Sequence, residues 1–279
     1  MTQEGLFDTV EHPTKTRSGP PVKQRVLITV KAAPNPSATY GETVCVAGVR
    51  LGAAGPAGWI RLYPINFRHL PDASAQFKKY DIVTVECRPA NEPRVESWKP
   101  DMNPLTHEMS VPPWEKRRRL LDPLIEDSMC AIRKSAETDP SAQSLALVRP
   151  AEVLDFTVRL HPGWSKDEQR KIDQYVGQLE LFSDQDKSPL EAPRFTGTYK
   201  WRCGDRECKT HEQRILDWEF VALQRKVSAL GEAEAKDAIR RRFLDEVCAA
   251  DRDIAFYVGN QAKRHQTFSI LGVFWPPTR

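Results

Sequence analysis

The sequence predicts an α+β protein, with a small N-terminal β-barrel or sandwich followed by a region of mixed helices and strands. Short β-branched runs separated by Gly- and Pro-rich loops follow one another closely before residue 90, which is typical of such a β domain. Apolar residues at helical spacing come next, and two nearly all-apolar segments near the end are typical of buried strands.

The chain accordingly divides into three parts. Residues 1–22 are rich in Pro, Thr and charged residues and are expected to form a flexible lead-in. Residues 23–110 are expected to form the β domain, and residues 111–279 an α+β domain that holds a Cys/His cluster. Strands of the β domain are predicted at 26–30, 43–49, 58–65 and 80–88.

A proline-rich segment, 89–113, is predicted to be a long loop that leads into the α+β domain. Helices are predicted at 114–137, at 165–181 after the capping box formed by Ser165 and Glu168, and from 212 to 249 with a break at Gly231. Strands are predicted at 145–148, 153–160, 199–202, 254–258 and 268–275.

Composition excludes several classes of protein. With 40% hydrophobic and 28% charged residues, the 279-residue chain has the balance of a folded globular protein rather than a disordered one. Its mean hydropathy of -0.55 and the lack of a long apolar run predict that it has no membrane partner. The six irregularly spaced cysteines, without a secretion signal, argue against a disulfide framework and predict a cytoplasmic protein.

Charge is distributed unevenly along the chain. Residues 14–100 carry 13 Lys and Arg against 6 Asp and Glu, although the whole chain has a net charge of only +3. A basic module joined to a mildly acidic one favours a polyanion as the partner of the first, and a polyanion inside cells is most often DNA or RNA.

The strand predicted at 58–65 alternates aromatic and basic residues with aliphatic ones. If Ile60 and Leu62 face the core, Trp59, Arg61 and Tyr63 share the opposite face. Two aromatic planes beside a guanidinium suit a polynucleotide, because bases stack on rings and arginine binds phosphate. The nearby basic residues Arg68, Lys78 and Lys79 are predicted to extend this surface. The alternative is that Trp59 and Tyr63 are core residues, since large aromatic side chains are usually buried.

A second motif predicts a zinc site. Cys203, Cys208 and His211 lie between a predicted strand and a predicted helix, and thiolates and imidazoles are the ligands that zinc prefers. The fourth ligand is expected from Cys248, His265 or His161, or is water as in catalytic sites. The alternative is a strand–helix corner without metal. The remaining cysteines lie in apolar patterns and are predicted to be core thiols: Cys45, Cys87 and Cys130.

Carboxylates follow His211 directly. Glu212 and Glu219 are seven residues apart and fall on one face of the predicted helix, with Asp217 displaced from them. Magnesium-dependent nucleases need two or more convergent carboxylates, usually with a lysine nearby. A metal-dependent nuclease or hydrolase that uses His211, Glu212, Asp217 and Glu219 is therefore an alternative, against the simpler explanation that these acids are the solvated side of a packed helix.

Several segments of the β domain resemble the prokaryotic dual OB-containing domain. The similar segments are the Cys-x-Ala-Gly strand at Cys45, the Gly-Trp-Ile-Arg strand at Gly58, Asp81-Ile82-Val83 and Glu96-Ser97-Trp98. The resemblance covers residues 43–98 and departs in detail, since Leu62 and Tyr63 intervene before Pro64 and Ser97 replaces the usual asparagine. The remainder looks like an uncharacterised bacterial protein.

The resemblance implies an OB-like barrel, room for a second barrel in the C-terminal half, and a nucleic-acid-binding module of bacterial defence or mobile-element systems, acting as a sensor or accessory subunit. It supplies no catalytic residues, so a non-enzymatic nucleic-acid-binding protein is the first hypothesis. The nuclease is the second. A protein–protein adaptor, whose basic module docks an acidic partner, is the third.

Overall fold

Five strands of the N-terminal part close into a barrel. The structure is a computed structural model that describes residues 20–37, 41–66, 77–182, 189–262 and 264–279. The strands of this part are β1 (Val22–Lys31), β2 (Asn35–Ser37), β3 (Gly41–Gly52), β4 (Gly55–Asn66), β5 (Asp81–Pro89) and β6 (Ser97–Ser110). They run in the order β1-β5-β6-β4-β3, and β3 pairs back with β1 to close the barrel, while β2 extends β3. β4 and β6 are parallel, and the other neighbouring strands are antiparallel.

The C-terminal part contains two further sheets and most of the helices. A three-stranded sheet consists of β9 (Pro150–Leu160), β10 (Phe195–Cys203) and β11 (His211–Arg214), and a four-stranded sheet of β7 (Ile125–Glu126), β8 (Leu145–Val148), β12 (Ala255–Gln261) and β13 (Arg264–Phe274). The helices are α1 (Glu115–Leu121), α2 (Met129–Thr138), α3 (Lys166–Phe182), α4 (Trp218–Lys226) and α5 (Glu232–Arg240). A π-helical segment, Arg241–Glu246, continues α5.

The predicted mixture of helices and strands with an N-terminal barrel is confirmed: strands form 47% of the structure and helices 24%. The expected second barrel is wrong for the described residues, whose C-terminal strands form separate sheets of three and four strands. Within the described ranges, no helix is long and apolar enough to cross a membrane. The predicted lead-in lies outside the described residues up to residue 19.

The two parts of the chain share an apolar interface. Ile60 and Leu62 of β4 point into the barrel, as the period-two pattern predicts. Trp59, on the opposite face of β4, packs with Leu145 of β8 and Tyr257 of β12 in a separate apolar cluster. The outer face of β3 and β4 is therefore covered by the four-stranded sheet around Trp59, and the middle of β4 is buried on both faces.

Three predicted elements are wrong. The proline-rich segment predicted as a loop contains β6, which pairs with β5 along most of its length because the residues beside the prolines still form ladder hydrogen bonds. The helix predicted at 114–137 is divided into α1 and α2, because Pro123 lies in its middle and cannot continue an α-helical ladder. The helix predicted from residue 212 begins only at Trp218, after the strand β11.

Candidate metal centre and cationic cleft

The zinc ligands predicted from the sequence lie together, and a fourth ligand joins them. The ligand atoms of Cys130, Cys203, Cys208 and His211 lie within 4.8 Å of one another. His211 Nε2 lies 3.3 Å from Cys208 Sγ, 3.4 Å from Cys203 Sγ and 3.6 Å from Cys130 Sγ, and the Cys203 and Cys130 sulfur atoms are 3.8 Å apart. This group is called the Cys3His cluster below.

These separations fit a tetrahedral metal site. With bonds of about 2.3 Å to sulfur and about 2.0–2.1 Å to nitrogen, the edges of a zinc tetrahedron are about 3.8 Å between two sulfurs and about 3.6 Å between sulfur and nitrogen. Four of the six separations in the Cys3His cluster, 3.3–3.8 Å, lie close to these edges, and all six are within 4.8 Å. Four protein side chains complete the coordination, which is typical of a structural rather than a catalytic site. The Cys3His cluster could therefore hold a metal ion.

Local hydrogen bonds hold the loop that carries two of the thiols. The chain turns at Gly204, whose N–H donates to Asp127 O at 2.7 Å and where an added Cβ would lie 3.1 Å from that oxygen. The Asp205 carboxylate accepts from the Ser128 hydroxyl at 3.1 Å and from the Glu207 N–H at 2.9 Å. Cys203 N–H donates to Cys208 Sγ at 3.4 Å, which holds the Cys208 thiol beside Cys203.

The other two ligands come from regular elements. His211 begins β11, opposite Trp201 of β10, and its imidazole lies against the Trp201 ring. Burial, followed by the charge of Arg133, lowers the pKa of His211, so the ring is neutral and able to bind a metal at pH 7. Cys130 is the second residue of α2, whose N-cap is Ser128. The cluster thus joins the start of α2 to the β10–β11 hairpin.

The prediction that Cys130 is a core thiol is wrong. The buried residues of α2 are Met129, Ile132 and Ala136, so Cys130 lies about 100° away from Met129 and off that face. This displacement from the apolar face is the one feature of the sequence that argues against a core position for Cys130. Nothing in the sequence connects Cys130 to a motif 73 residues later.

The three expected candidates for the fourth ligand lie elsewhere. Cys248 Sγ donates to Phe243 O at 3.5 Å, His161 Nδ1 accepts from Gly163 N–H at 3.0 Å, and the backbone oxygen of His265 accepts from Asn260.

The surface predicted for stacking on bases is mostly buried. Trp59 is 6% exposed and meets the Tyr257 ring edge-on at 6.3 Å, so the alternative, a core residue, is the one the structure supports. Arg61 is 4% exposed and donates to Ser144 O at 3.1 Å. Tyr63 is 39% exposed, in contrast to the core position that the alternative gave it.

Of the other predicted nucleic-acid contacts, Lys79 does not extend this strand face. Arg68 lies outside the described residues. Lys78 is exposed, and its backbone N–H donates to Asp81 Oδ2 at 2.6 Å. Lys79 is directed to the C-terminal part of the chain, where it meets Asp217 and Glu219.

The four residues of the nuclease hypothesis belong to two separate places. His211 lies in the Cys3His cluster, and Glu212 is exposed on β11 beside Lys200, 3.7 Å away. The prediction that Glu212 and Glu219 share a helix face is wrong because 211–214 is a strand. Asp217 is the N-cap of α4 and accepts from the Glu219 N–H at 3.0 Å.

Lys79 forms a buried ion pair at the junction of the two parts of the chain. Its Nζ lies 3.7 Å from Asp217 Oδ2 and 3.6 Å from Glu219 Oε2. Burial raises the pKa of Asp217 to about 6, with Lys79 lowering it and Glu219 raising it further. Burial lowers the pKa of Lys79, but the charges of Asp217, Tyr80 and Glu219 outweigh burial and raise it overall, so the amine stays charged.

This ion pair lies in the wall of a cleft of about 510 Å³, called the cationic cleft below. Its charged lining residues are Lys79, Arg117, Asp217, Glu219, Lys226 and Arg242. Four cations thus line the cleft with two carboxylates, and Glu246, outside the lining, pairs with Arg242 at 2.8 Å. The remaining positive charge favours an anionic ligand.

Aromatic residues form part of the same wall: Tyr80, Trp114 and Trp275. Tyr80 has a φ of 71°, a left-handed conformation that costs free energy for a non-glycine residue and recurs at functional sites. The cleft therefore combines charged and aromatic groups on a backbone held in a strained conformation.

Asp217→Asn is expected to gain stability relative to the wild type as the pH rises from about 4 to above 6. Unfolded aspartate ionises near pH ~3.9, and Asp217 in the folded protein near 6. Between these values the folded state holds the extra proton, so ionisation with rising pH costs the wild type stability, while asparagine does not ionise and still caps α4. Urea unfolding between pH 4 and 7 measures the difference, and a constant or falling difference would contradict the expectation.

Two family models match this chain, and both describe domains of unknown function. The model described as Domain of unknown function (DUF8758) matches residues 22–123, which include the barrel. The model described as Domain of unknown function (DUF8757) matches residues 125–279, more than half of the chain, which contain the whole Cys3His cluster. The cationic cleft is lined by both matched regions. No curated protein matches the chain.

Proposed function

We propose that this chain, which belongs to the DUF8757 family, is a zinc-binding protein in which Cys130, Cys203, Cys208 and His211 hold a structural Zn²⁺. The observation that carries the proposal is the convergence of four ligand atoms within 4.8 Å of one another, with four of the six separations close to the edges of a zinc tetrahedron. Three thiolates and an imidazole favour zinc over the harder cations Mg²⁺ and Ca²⁺. The ion would supply cross-linking rather than chemistry, because no ligand position is left for substrate.

Metal analysis of the purified protein tests this proposal. We expect about one zinc per chain after dialysis against metal-free buffer, since structural sites bind zinc with about 10–16 kcal/mol. A chelator strong enough to remove the ion should lower the melting temperature, and added Zn²⁺, but not Mg²⁺, should restore it. Zinc far below one per chain together with a chelator-insensitive melting temperature would overturn the proposal.

A second candidate function is nucleic-acid binding by an OB-type barrel. The barrel closes with the strand order β1-β3-β4-β6-β5 and one parallel pair, β4 with β6, and five-stranded OB barrels bind oligonucleotides over their second and third strands. In this chain those strands are β3 and β4, whose outer face the four-stranded sheet covers. A polyanion would therefore bind elsewhere, and the cationic cleft, lined by four cations and two carboxylates, favours that position.

Fluorescence anisotropy with labelled single-stranded DNA, duplex DNA and RNA tests this second function. We expect the logarithm of the binding constant to fall linearly with the logarithm of salt concentration, because each phosphate contact releases counterions. End-point samples with magnesium, run on a denaturing gel, should show intact probes, and shortened probes would favour the nuclease instead. If no probe binds at low salt, the nucleic-acid function is wrong and the adaptor hypothesis gains.

A further inference from the structure

The wall of the cationic cleft presents two arginines in fixed orientations. The Arg117 guanidinium lies 3.9 Å from the centre of the Tyr80 ring and 5.3 Å from the Trp114 ring, and Arg117 Nε donates to Val111 O at 2.9 Å. Trp114 in turn meets Trp275 at 5.5 Å, and the Arg242 guanidinium lies 4.7 Å from the Trp275 ring. Aromatic and guanidinium groups therefore form one continuous row from Tyr80 to Arg242.

Stacking of this kind suits phosphate binding. A guanidinium packed through its face keeps its N–H edge for a ligand, and its fork geometry matches two phosphate oxygens. Because the rings already hold Arg117 in place, little side-chain entropy is lost when an anion binds. Arg117 comes from α1, in the first matched region, and Arg242 from the π-helical segment, in the second, so both matched regions supply cations.

One face of α4 completes the cleft. Glu219, Ala222, Leu223 and Lys226 all line it, at the spacing of a single helix face. Lys226 is exposed and has no ion pair with another residue of the described part of the chain. Glu219 is seven residues away, about 10 Å along the helix axis, and its side chain is 56% exposed. A cation and a carboxylate thus stand two helical turns apart on the same wall.

The two acids differ in their availability. Asp217 is 4% exposed and is engaged by Lys79 and by the Glu219 N–H, so its charge is compensated within the protein. Glu219 shares Lys79 but keeps its exposed carboxylate able to accept a hydrogen bond from a ligand. A ligand that fits this arrangement carries an anion at one end and an N–H donor at the other. The volume of about 510 Å³ lies within the range of small-ligand pockets.

We propose that the cationic cleft binds one nucleotide unit, with its phosphate on Arg117 and Lys226 and with the exocyclic amino group of its base on Glu219. This inference rests on the nucleic-acid-binding function proposed above and names the part of the nucleic acid that the cleft takes. Adenine, cytosine and guanine carry such an amino group and thymine does not, and a carboxylate accepts from it as Glu and Asp do from cytosine N4.

Calorimetric titrations of the full chain with AMP, thymidine monophosphate and inorganic phosphate test the inference directly. We expect AMP to bind about tenfold more tightly than thymidine monophosphate, the value of one hydrogen bond to a charged group, and inorganic phosphate to bind more weakly than both. Equal affinities for AMP and inorganic phosphate would overturn the assignment of the base to Glu219.

Single substitutions with a matched control test which residues contact the phosphate and the base. Lys226→Ala and Arg117→Lys should each lower the affinity for AMP by about tenfold. Glu219→Gln should remove the preference for AMP over thymidine monophosphate, because an amide also donates to thymine O4. The control is Lys236→Ala on α5, a lysine outside the cleft that pairs with Glu232 at 2.6 Å and should leave AMP affinity unchanged. Circular dichroism of each variant confirms that it is folded.

The same variants separate this inference from the broader function. If labelled oligonucleotides bind the wild type, Lys226→Ala and Arg117→Lys equally well, the protein binds nucleic acid but the cleft inference is wrong. If AMP binds in the cleft while no oligonucleotide binds, the cleft inference stands for a free nucleotide and the nucleic-acid function fails. If neither AMP nor any oligonucleotide binds the folded protein, both are wrong.

Discussion

Cys130→Ser is expected to lower the zinc content of the purified protein from about one ion per chain to well below that, and to lower its melting temperature. Cys130 is one of the four proposed ligands, and its Sγ lies 3.8 Å from Cys203 Sγ and 3.6 Å from His211 Nε2. A serine hydroxyl is a harder and weaker zinc ligand than a thiolate. Mutation of groups that only orient zinc ligands already costs about 10- to 100-fold in affinity, so loss of a ligand should cost more than about 100-fold.

The structural effect should be large because the cluster joins elements that are far apart in sequence. Cys130 belongs to α2, whereas the other three ligands belong to the β10–β11 hairpin. Without the ion, three thiols and an imidazole are left in contact, and burial together with the neighbouring thiols raises the pKa of Cys130 to about 12. In the apo cluster the Cys130 thiol therefore resists ionisation. The free energy of zinc binding, about 10–16 kcal/mol in model sites, no longer stabilises the fold.

Cys248→Ser is the matched control. Cys248 is half-buried like Cys130, and its Sγ donates to Phe243 O at 3.5 Å, away from the Cys3His cluster. It should keep one zinc per chain and lose stability only modestly. Metal analysis, competition with a chromogenic chelator and cobalt(II) absorption measure the effect, because each thiolate lost weakens the sulfur-to-cobalt absorption. If Cys130→Ser keeps the zinc affinity of the wild type, Cys130 is not a ligand.

The zinc motif shows which of the proposed ligands can be predicted from the sequence. Cys203, Cys208 and His211 lie within nine residues, so local spacing sufficed to predict them. Cys130 joins them only through the packing of α2 on the hairpin, and no local pattern reports such packing. The sequence therefore predicts the centre but not its fourth ligand.

The secondary structure shows a similar limit. β-branched runs predicted β1, β3, β4 and β5 correctly, because strand propensity and burial agree there. In β11, His211 and Gln213 are buried while Glu212 and Arg214 are exposed, but all four residues are polar, so the sequence shows no apolar alternation that would predict a strand. The apolar residues of α4 that follow at helical spacing led to the prediction of one long helix instead.

The alternating strand β4 shows why the predicted site was misplaced. The alternation was predicted correctly, since Ile60 and Leu62 face the barrel interior and Trp59 and Arg61 face outwards. The outward face is covered by β8 and β12, strands that lie 80 to 200 residues later in the chain. A binding surface and a docking surface have the same sequence pattern, and only the tertiary structure distinguishes them.

Arg61→Ala is therefore expected to lower the free energy of unfolding rather than to weaken nucleic-acid binding. Arg61 Nη2 donates to Ser144 O at 3.1 Å and to Ser144 Oγ at 3.3 Å, and Arg61 Nη1 donates to Cys45 Sγ at 3.3 Å. Ser144 in turn donates from its N–H and its hydroxyl to the carboxylate of Glu96, at 2.7 Å and 3.0 Å. Arg61, Ser144 and Glu96 are all less than 5% exposed.

This network connects the barrel to the C-terminal part, and its members have little water to replace a lost partner. Removing one member of a buried charged network costs about 3–5 kcal/mol, a large share of the roughly 5–15 kcal/mol by which whole proteins are stable. Urea unfolding measures the loss. Arg88→Ala is the control, because Arg88 is an exposed arginine on β5 of the same barrel, and surface substitutions usually stay within about 0.5 kcal/mol.

The same pair of variants decides between the two explanations of the aromatic–basic strand. If Arg61 holds the two parts of the chain together, Arg61→Ala unfolds at much lower urea, and the fraction that remains folded binds oligonucleotides as the wild type does. If Arg61 instead contacts phosphate, Arg61→Ala keeps the urea midpoint of Arg88→Ala and loses affinity with a shallower salt dependence, since one phosphate contact is gone. The burial of Arg61 and its bonds to Ser144 make the first result the expected one.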